Sequence, residues 1–222
     1  MNVLIFGSTG MVGDGVLHDC LADPRVTSVL AVVRSPLSVS HPKLQERRRT
    51  DFFSYADLAG DLTRTDACFF CLGVSSAGMS EADYYRSTFD LTLAAARALA
   101  AAKPGATFCY VSGEGTDSSE RGRIMWARVK GKTENALLAL PLQAYMFRPG
   151  IIRPRPGTRS KTRWYRVAYA VLDPIFPLLQ RIFPTHVTTS ENVGRAMIGV
   201  AANGYEKRIL ENTDINAIGG AS

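Results

Sequence analysis

Apolar positions in the first two thirds of the chain form short runs separated by stretches with helical spacing. Asn2–Phe6 reads as a strand buried on both faces, and Gly10–Asp23 as the helix that follows it. Ser28–Val33 predicts a second strand, Arg49–Phe53 a third and Ala67–Leu72 a fourth. Glu81–Ala102, nearly all alanine and leucine on one side, predicts a long helix stopped by Lys103-Pro104-Gly105. Thr107–Ser112, Arg123–Leu140 and Gln143–Phe147 continue as strand, helix and strand. This alternation with short links predicts an α/β fold, a doubly wound parallel sheet of the NAD(P)-binding Rossmann type.

The texture changes after Arg148-Pro149-Gly150. Pro154, Pro156 and Gly157 mark an irregular segment, and Trp164–Phe183 is apolar and aromatic but broken by Pro174 and Pro177. Residues 1–150 therefore read as a dinucleotide-binding core. Residues 151–222 read as a small substrate-side lobe packed on the same domain, closed by a final helix at Glu191–Ala202.

Composition changes this picture only at its margins. With 46% hydrophobic and 21% charged residues, a chain of 222 can bury a core without disulfides or a structural metal. Of Cys20, Cys68, Cys71 and Cys109, three lie in apolar runs and none has a histidine at metal-ligand spacing. That pattern suggests a reducing cytoplasm. Met1 leads straight into the first strand without a basic leader, and no run of eighteen apolar residues predicts a spanning helix. The net charge of +6 comes without any nucleic-acid-binding motif, so anionic small ligands are the expected partners rather than nucleic acid.

The first candidate chemistry is Gly7-Ser8-Thr9-Gly10-Met11-Val12-Gly13, which leaves a strand and opens a helix. Gly7 permits the turn, Gly10 lets backbone approach a pyrophosphate, and Gly13 lets the helix pack close to the strand. The N–H groups and dipole at the helix start favour an anion there. The spacing resembles that of extended and atypical short-chain dehydrogenases/reductases (SDRs).

At the end of the second strand, Val33-Arg34-Ser35 carries no acid to accept from a ribose hydroxyl. Arg34 can pair with a 2′-phosphate and Ser35 can add a hydroxyl, so NADP(H) is expected over NAD(H). Asp51 and Phe52 occupy the position that flanks adenine in related folds. Cys71-Leu72-Gly73 occupies the position beside the ribose.

SDR chemistry uses a serine, a tyrosine and a lysine, the last two at i, i+4 on one helix face. Ser112 and Lys130 stand where the serine and lysine are expected, but the residue four before Lys130 is Trp126. An indole N–H is a donor with no proton to transfer. Three accounts stay open. The site has lost its chemistry and keeps the dinucleotide as a ligand. Alternatively, hydride goes to a quinone, flavin or enone that takes its proton elsewhere. In the third account Tyr110, Ser112 or Glu114 supplies the proton.

Taken in order, Phe6–Gly10, Phe70-Cys71-Leu72-Gly73, Val111-Ser112, Val129–Glu134, Phe147-Arg148-Pro149-Gly150 and Leu210-Glu211-Asn212 resemble the Tat-interacting-protein-type oxidoreductases, an atypical SDR branch. The resemblance spans nearly the whole chain. It implies a Rossmann fold, NADPH in the groove, and the serine and lysine roles for Ser112 and Lys130. Members usually place tyrosine where this chain has Trp126.

Arg153, Arg155, Arg159, Lys161, Arg163 and Arg166 form a basic stretch without an acid. Beside the cleft it would meet an anionic or lipid-like substrate, and 153–183 as a whole would suit peripheral membrane contact. Arg47-Arg48-Arg49 reads as a solvated turn that lies near a 2′-phosphate in the alternative reading. Three functions follow: an NADP(H)-dependent oxidoreductase, a silent dinucleotide-binding regulator or scaffold, or a nucleotide-sugar epimerase or dehydratase.

Overall fold

A computed structural model describes residues 1–155, 176, 182–183 and 185–220. Seven parallel strands form the main sheet: β1 (Asn2–Phe6), β2 (Ser28–Val33), β3 (Leu44–Arg48), β4 (Ala67–Phe70), β5 (Thr107–Val111), β6 (Gln143–Arg148) and, far along the chain, β9 (Ile209–Glu211). Their order is β3-β2-β1-β4-β5-β6-β9, so the winding reverses beside β1, between it and β4. Ligand crevices of open α/β sheets form at such a reversal, outside the carboxyl ends of the strands.

The central strands are apolar along most of their length because helices cover both faces. Val3 and Ile5 of β1 pack with Phe69, Phe147, Val16, Leu17 and Met197 on one side. Leu4 and Phe6, one residue out of phase, pack with Phe70, Phe108, Leu93 and Leu99 on the other. Helix α1 (Met11–Ala22) lies on the first face with α6 (Ser190–Asn203) and α7 (Asn212–Gly220). The second face carries α2 (Ala59–Arg64), α4 (Leu91–Ala102) and α5 (Met125–Leu138).

Four local expectations are corrected. The third strand is Leu44–Arg48, earlier than Arg49–Phe53, and it pairs with β2 through Val29↔Leu44 to Val33↔Arg48. It is an edge strand whose sequence, LQERR, is polar because one side faces solvent, so a search for apolar runs passes over it. The Arg47-Arg48 pair is accordingly strand rather than turn. The long helix is three consecutive pieces: α3 (Glu81–Tyr85), a π-helical stretch (Arg86–Asp90) and α4. Finally, Glu191–Ala202 is not the last element, since β9 and α7 follow it.

A second sheet of two parallel strands, β7 (Ile151–Arg153) and β8 (Val187–Thr189), was not anticipated. It brings His186 back beside Gly150, with the Ile151 N–H donating to the His186 carbonyl at 2.7 Å. Most of the basic and aromatic segment, including Arg159, Lys161, Arg163, Trp164, Arg166 and Tyr169, lies outside the described residues. Within it, Phe176 is buried under the Arg153 guanidinium, 5.3 Å from the ring centre, while Ile182 and Phe183 are exposed. Among the described residues no helix is long and apolar enough to cross a membrane.

Candidate dinucleotide site

The glycine loop owes its shape to two close approaches that a side chain would break and one backbone hydrogen bond. Gly7 has φ +82°, and a Cβ there would stand 2.7 Å from the Cys71 carbonyl. A Cβ on Gly13 would fall 2.2 Å from the Gly7 oxygen, so α1 can start this close to β1 only with glycine. The Gly10 N–H closes the turn onto the Gly7 oxygen at 2.8 Å, and Gly10 caps α1 without any side-chain hydrogen bond. The N–H groups of Met11, Val12 and Gly13 lie in the first turn, where the helix provides no acceptor. Thr9 and Gly10 are exposed, Met11 and Val12 half-buried. The Ser8 Oγ is buried in the same loop with no hydrogen-bond partner among the described residues. A concave turn of bare backbone with unused donors fits a pyrophosphate.

At the base end, Arg34 and Ser35 follow β2 and are both exposed. The Arg49 backbone lies alongside, its N–H donating to the Val33 carbonyl at 3.0 Å. The Arg49 side chain stacks 4.8 Å from the Tyr55 ring centre and pairs with Asp57, leaving Nε and Nη1 buried and without a partner among the described residues. Asp51 is exposed and accepts from the Phe53 N–H at 2.8 Å. Phe52 does not face the crevice: its ring packs edge-on against Phe6 in the core, whereas Phe53 is exposed under Arg86. Sequence position alone does not distinguish adjacent phenylalanines, which point opposite ways.

Across the loop, the Cys71 N–H donates to the Phe6 carbonyl, and Leu72 and Gly73 continue outward, increasingly exposed. Cys68 and Cys71 have CxxC spacing, but a strand offset of three places them on opposite sheet faces, Cys68 in one apolar cluster and Cys71 against the other. All four cysteines are free.

Ser112 and Lys130 come together at the head of β5. The Lys130 Nζ donates to the Ser112 carbonyl, and the Ser112 Oγ donates to the Phe147 carbonyl at 3.1 Å. Burial lowers the Lys130 pKa to about 8, while the buried Glu134 carboxylate one turn on pulls it back up. Glu134 is itself held by Arg148 through both Nε and Nη2. Trp126 is half-buried, and its Cη2 would lie 3.5 Å from a Cβ on Gly115, a residue at φ +80°. Tyr110 is buried in the core and its hydroxyl pKa is driven far up by burial, so it offers no proton to a ligand.

One pair here was not assembled by the sequence. The Glu114 Oε1 meets the Nδ1 of His186, 72 residues away, directly beyond Ser112-Gly113. Gly150 lies between their backbones: a Cβ there would fall 2.2 Å from the His186 oxygen and 2.7 Å from the Glu114 Oε2.

This arrangement, a seven-stranded doubly wound sheet with a glycine loop after β1 and a serine–lysine pair at β5, defines an SDR-like α/β protein of the Rossmann class. The solved structures it superposes on share that fold. One is WbmF from Bordetella bronchiseptica in complex with NAD+ and UDP, with a TM-score of 0.69 and 18% identity over 99% of this chain and 77% of that one. Another is a short chain dehydrogenase from Burkholderia cenocepacia in complex with NADP, with a TM-score of 0.64 and 14% identity over 99% and 91%.

No family model matches the chain. It nevertheless belongs to the FMP52 family. "Protein fmp52-2, mitochondrial" of Aspergillus oryzae is 30% identical over 97% of this chain and 95% of its own length. "Protein fmp52, mitochondrial" of Emericella nidulans is 30% identical over 73% of this chain and 70% of its own. These names do not single out the Tat-interacting-protein-type branch, so the motif resemblance holds at the level of the SDR fold. They also overturn the cytoplasmic expectation, since the relatives are named as mitochondrial proteins. Free cysteines do not say which compartment a protein occupies.

Proposed function

We propose that this protein is an oxidoreductase that binds NADP(H) and transfers hydride to a small or lipid-like acceptor. The observation that carries the reading is Lys130, a half-buried ammonium anchored on the Ser112 carbonyl at the same end of the sheet as the Gly7–Gly13 turn. An ammonium held there, with its pKa lowered toward neutrality, suits the hydroxyls of a nicotinamide ribose. When bound, the reduced nicotinamide supplies the hydride. The chain's own part is to hold the two phosphates at Thr9–Gly13, the base end at Arg34, Ser35 and Asp51, and the ribose beside Cys71, Leu72, Gly73 and Lys130. Ser112 orients the acceptor once its hydroxyl turns from the Phe147 carbonyl.

Arg34, with no acid in its place, supports NADP(H) over NAD(H), and Arg49 adds a second cation at that end. The solved structures of the same fold hold NAD or NADP, which supports a nicotinamide dinucleotide in general. Trp126 favours a second reading, a silent dinucleotide-binding regulator or scaffold. Nucleotide-sugar epimerisation or dehydration stands third, because it also leans on the tyrosine that Trp126 replaces.

The test is NADPH oxidation in the presence of 9,10-phenanthrenequinone, trans-2-hexenal and 2-cyclohexen-1-one. Turnover of at least one acceptor is expected, falling about 100-fold or more in Lys130→Met, the usual scale for a positioned catalytic group. Tight NADPH binding with no oxidation in any mixture would favour the silent reading.

A further inference from the structure

The proton that tyrosine supplies in other SDRs needs another source here, and the described residues narrow the choice. Tyr110 is enclosed in the core, and Trp126 can donate a hydrogen bond but not a proton. Ser112 is buried, with its hydroxyl given to Phe147. Glu114, two residues past Ser112, and His186, held against it, are open to solvent, with side chains 42% and 55% exposed.

We propose that the Glu114–His186 dyad is the general acid of this site. This rests on the oxidoreductase reading above. Glu114 is fixed from behind, its N–H donating to the Pro149 carbonyl at 2.9 Å, while the Ser112 N–H donates to the Phe147 carbonyl at 2.8 Å on the neighbouring strand. The turn from Ser112 to Glu114 is thereby clamped onto β6 and its continuation. Gly113, at φ +131°, lets this turn pass Lys130, whose Nζ would lie 3.8 Å from a Cβ at that position. His186 is fixed independently, by the β7–β8 pairing that begins at the Ile151 N–H to His186 carbonyl bond. The absence of a side chain on Gly150 brings the two into contact.

A carboxylate on Nδ1 does for His186 what an acid does for any catalytic imidazole. It fixes the ring orientation, holds the Nδ1 proton and leaves Nε2 as the exchanging atom. Nε2 has no partner among the described residues, and exposure lets water return a proton to it.

The step balances as follows. A reduced nicotinamide dinucleotide, when bound, would supply the hydride and be left oxidised. A new C–H bond forms at the acceptor carbon, and the carbonyl π pair moves to oxygen. That oxygen takes the proton from His186 Nε2, whose N–H bond breaks. The ring is left neutral with its proton on Nδ1 against Glu114, and solvent reprotonates Nε2. The acceptor class is therefore a carbonyl whose oxygen must gain a proton, an aldehyde or enone rather than a cation.

Two readouts test this. The first needs no turnover: long-range proton–nitrogen spectra of the protein, whose only histidines are His18, His41 and His186, report the ring tautomer. The neutral His186 ring is expected protonated on Nδ1 in the wild type and shifted toward Nε2 in Glu114→Ala. The second uses whichever of trans-2-hexenal and 2-cyclohexen-1-one the wild type reduces. His186→Ala should lower kcat about 100-fold or more, the ordinary worth of general acid catalysis, with NADPH affinity within twofold, and added imidazole should restore part of it. Unchanged kcat in His186→Ala, loss of NADPH binding in that variant, or an Nε2-protonated ring in the wild type would each overturn the dyad and leave the oxidoreductase reading intact. Failure of the wild type to oxidise NADPH with either carbonyl overturns the dyad; failure with the quinone as well removes the oxidoreductase reading too.

Discussion

At the scale of single residues, the site depends on what is missing as much as on what is present. Gly7 and Gly13 leave room for backbone that no other residue would tolerate, and both roles were legible from the spacing alone. Trp126 was legible as a departure, but its surroundings were not. The indole lies against the Gly113–Gly115 turn, the same turn that presents Glu114 to His186. A packing role for the ring follows, and it yields a sharp expectation. Trp126→Tyr should not raise carbonyl reduction when the dyad already supplies the proton, and the smaller ring should loosen the turn and lower kcat. A gain of about tenfold or more in trans-2-hexenal reduction would show instead that the native site lacks a proton donor. Phe52 carries the converse lesson: the residue at the right sequence position for adenine is turned into the core against Phe6, while the bend it shares with Phe53 leaves that neighbour exposed.

At the scale of elements, α1 and α6 cross at unusually close range. A Cβ on Gly15 would collide with Ser190 at 2.5 Å, and one on Gly194 with the Asp19 carboxylate at 2.3 Å. This crossing seals the glycine loop's helix against the sheet, yet it traps Asp19 with one oxygen buried and without a hydrogen-bond partner among the described residues. Burial raises the Asp19 pKa from 3.8 to about 7, with Glu191 and Asp23 raising it further and Arg195 and Arg155 opposing. The sign follows directly. Between pH 3.8 and about 7 the folded state holds a proton that the unfolded state releases, so this group's contribution to stability falls as pH rises through that window. Asp19→Asn removes the decline. Urea midpoints should therefore be higher for the variant than for wild type at pH 8 and converge by pH 4. Equal pH dependence of the two proteins would show that Asp19 ionises freely in the crossing.

The elements that sequence missed share one physical trait. Strand β3 is polar because it lies at an edge, and β7, β8 and β9 are three residues each, too short for any periodicity to register. The central strands and the helices on either face were visible because burial on both sides writes continuous apolar runs into the chain.

At the scale of the whole molecule, the sheet reverses its winding between β1 and β4, which puts the glycine turn and the Cys71-Leu72-Gly73 exit at the reversal and the Ser112–Lys130 pair one strand further on, where open α/β sheets form their ligand crevice. The places of these segments in the fold were readable from the sequence, since each lies just after its own strand. The Glu114–His186 contact was not, because it forms only when the chain leaves at β7 and returns at β8, a closure with no local signature. Cysteine usage likewise spoke to redox state and was misread as location.

The central claim is that this crevice takes NADP(H), with Arg34 selecting the phosphorylated cofactor, and calorimetric titration of the purified protein with NADPH and NADH tests it most directly. The account predicts NADPH binding at least tenfold tighter than NADH, about 1.4 kcal/mol, with the preference lost or reversed in Arg34→Asp. Equal affinities that Arg34→Asp leaves unchanged would contradict the selection. No binding of either dinucleotide would contradict the site itself.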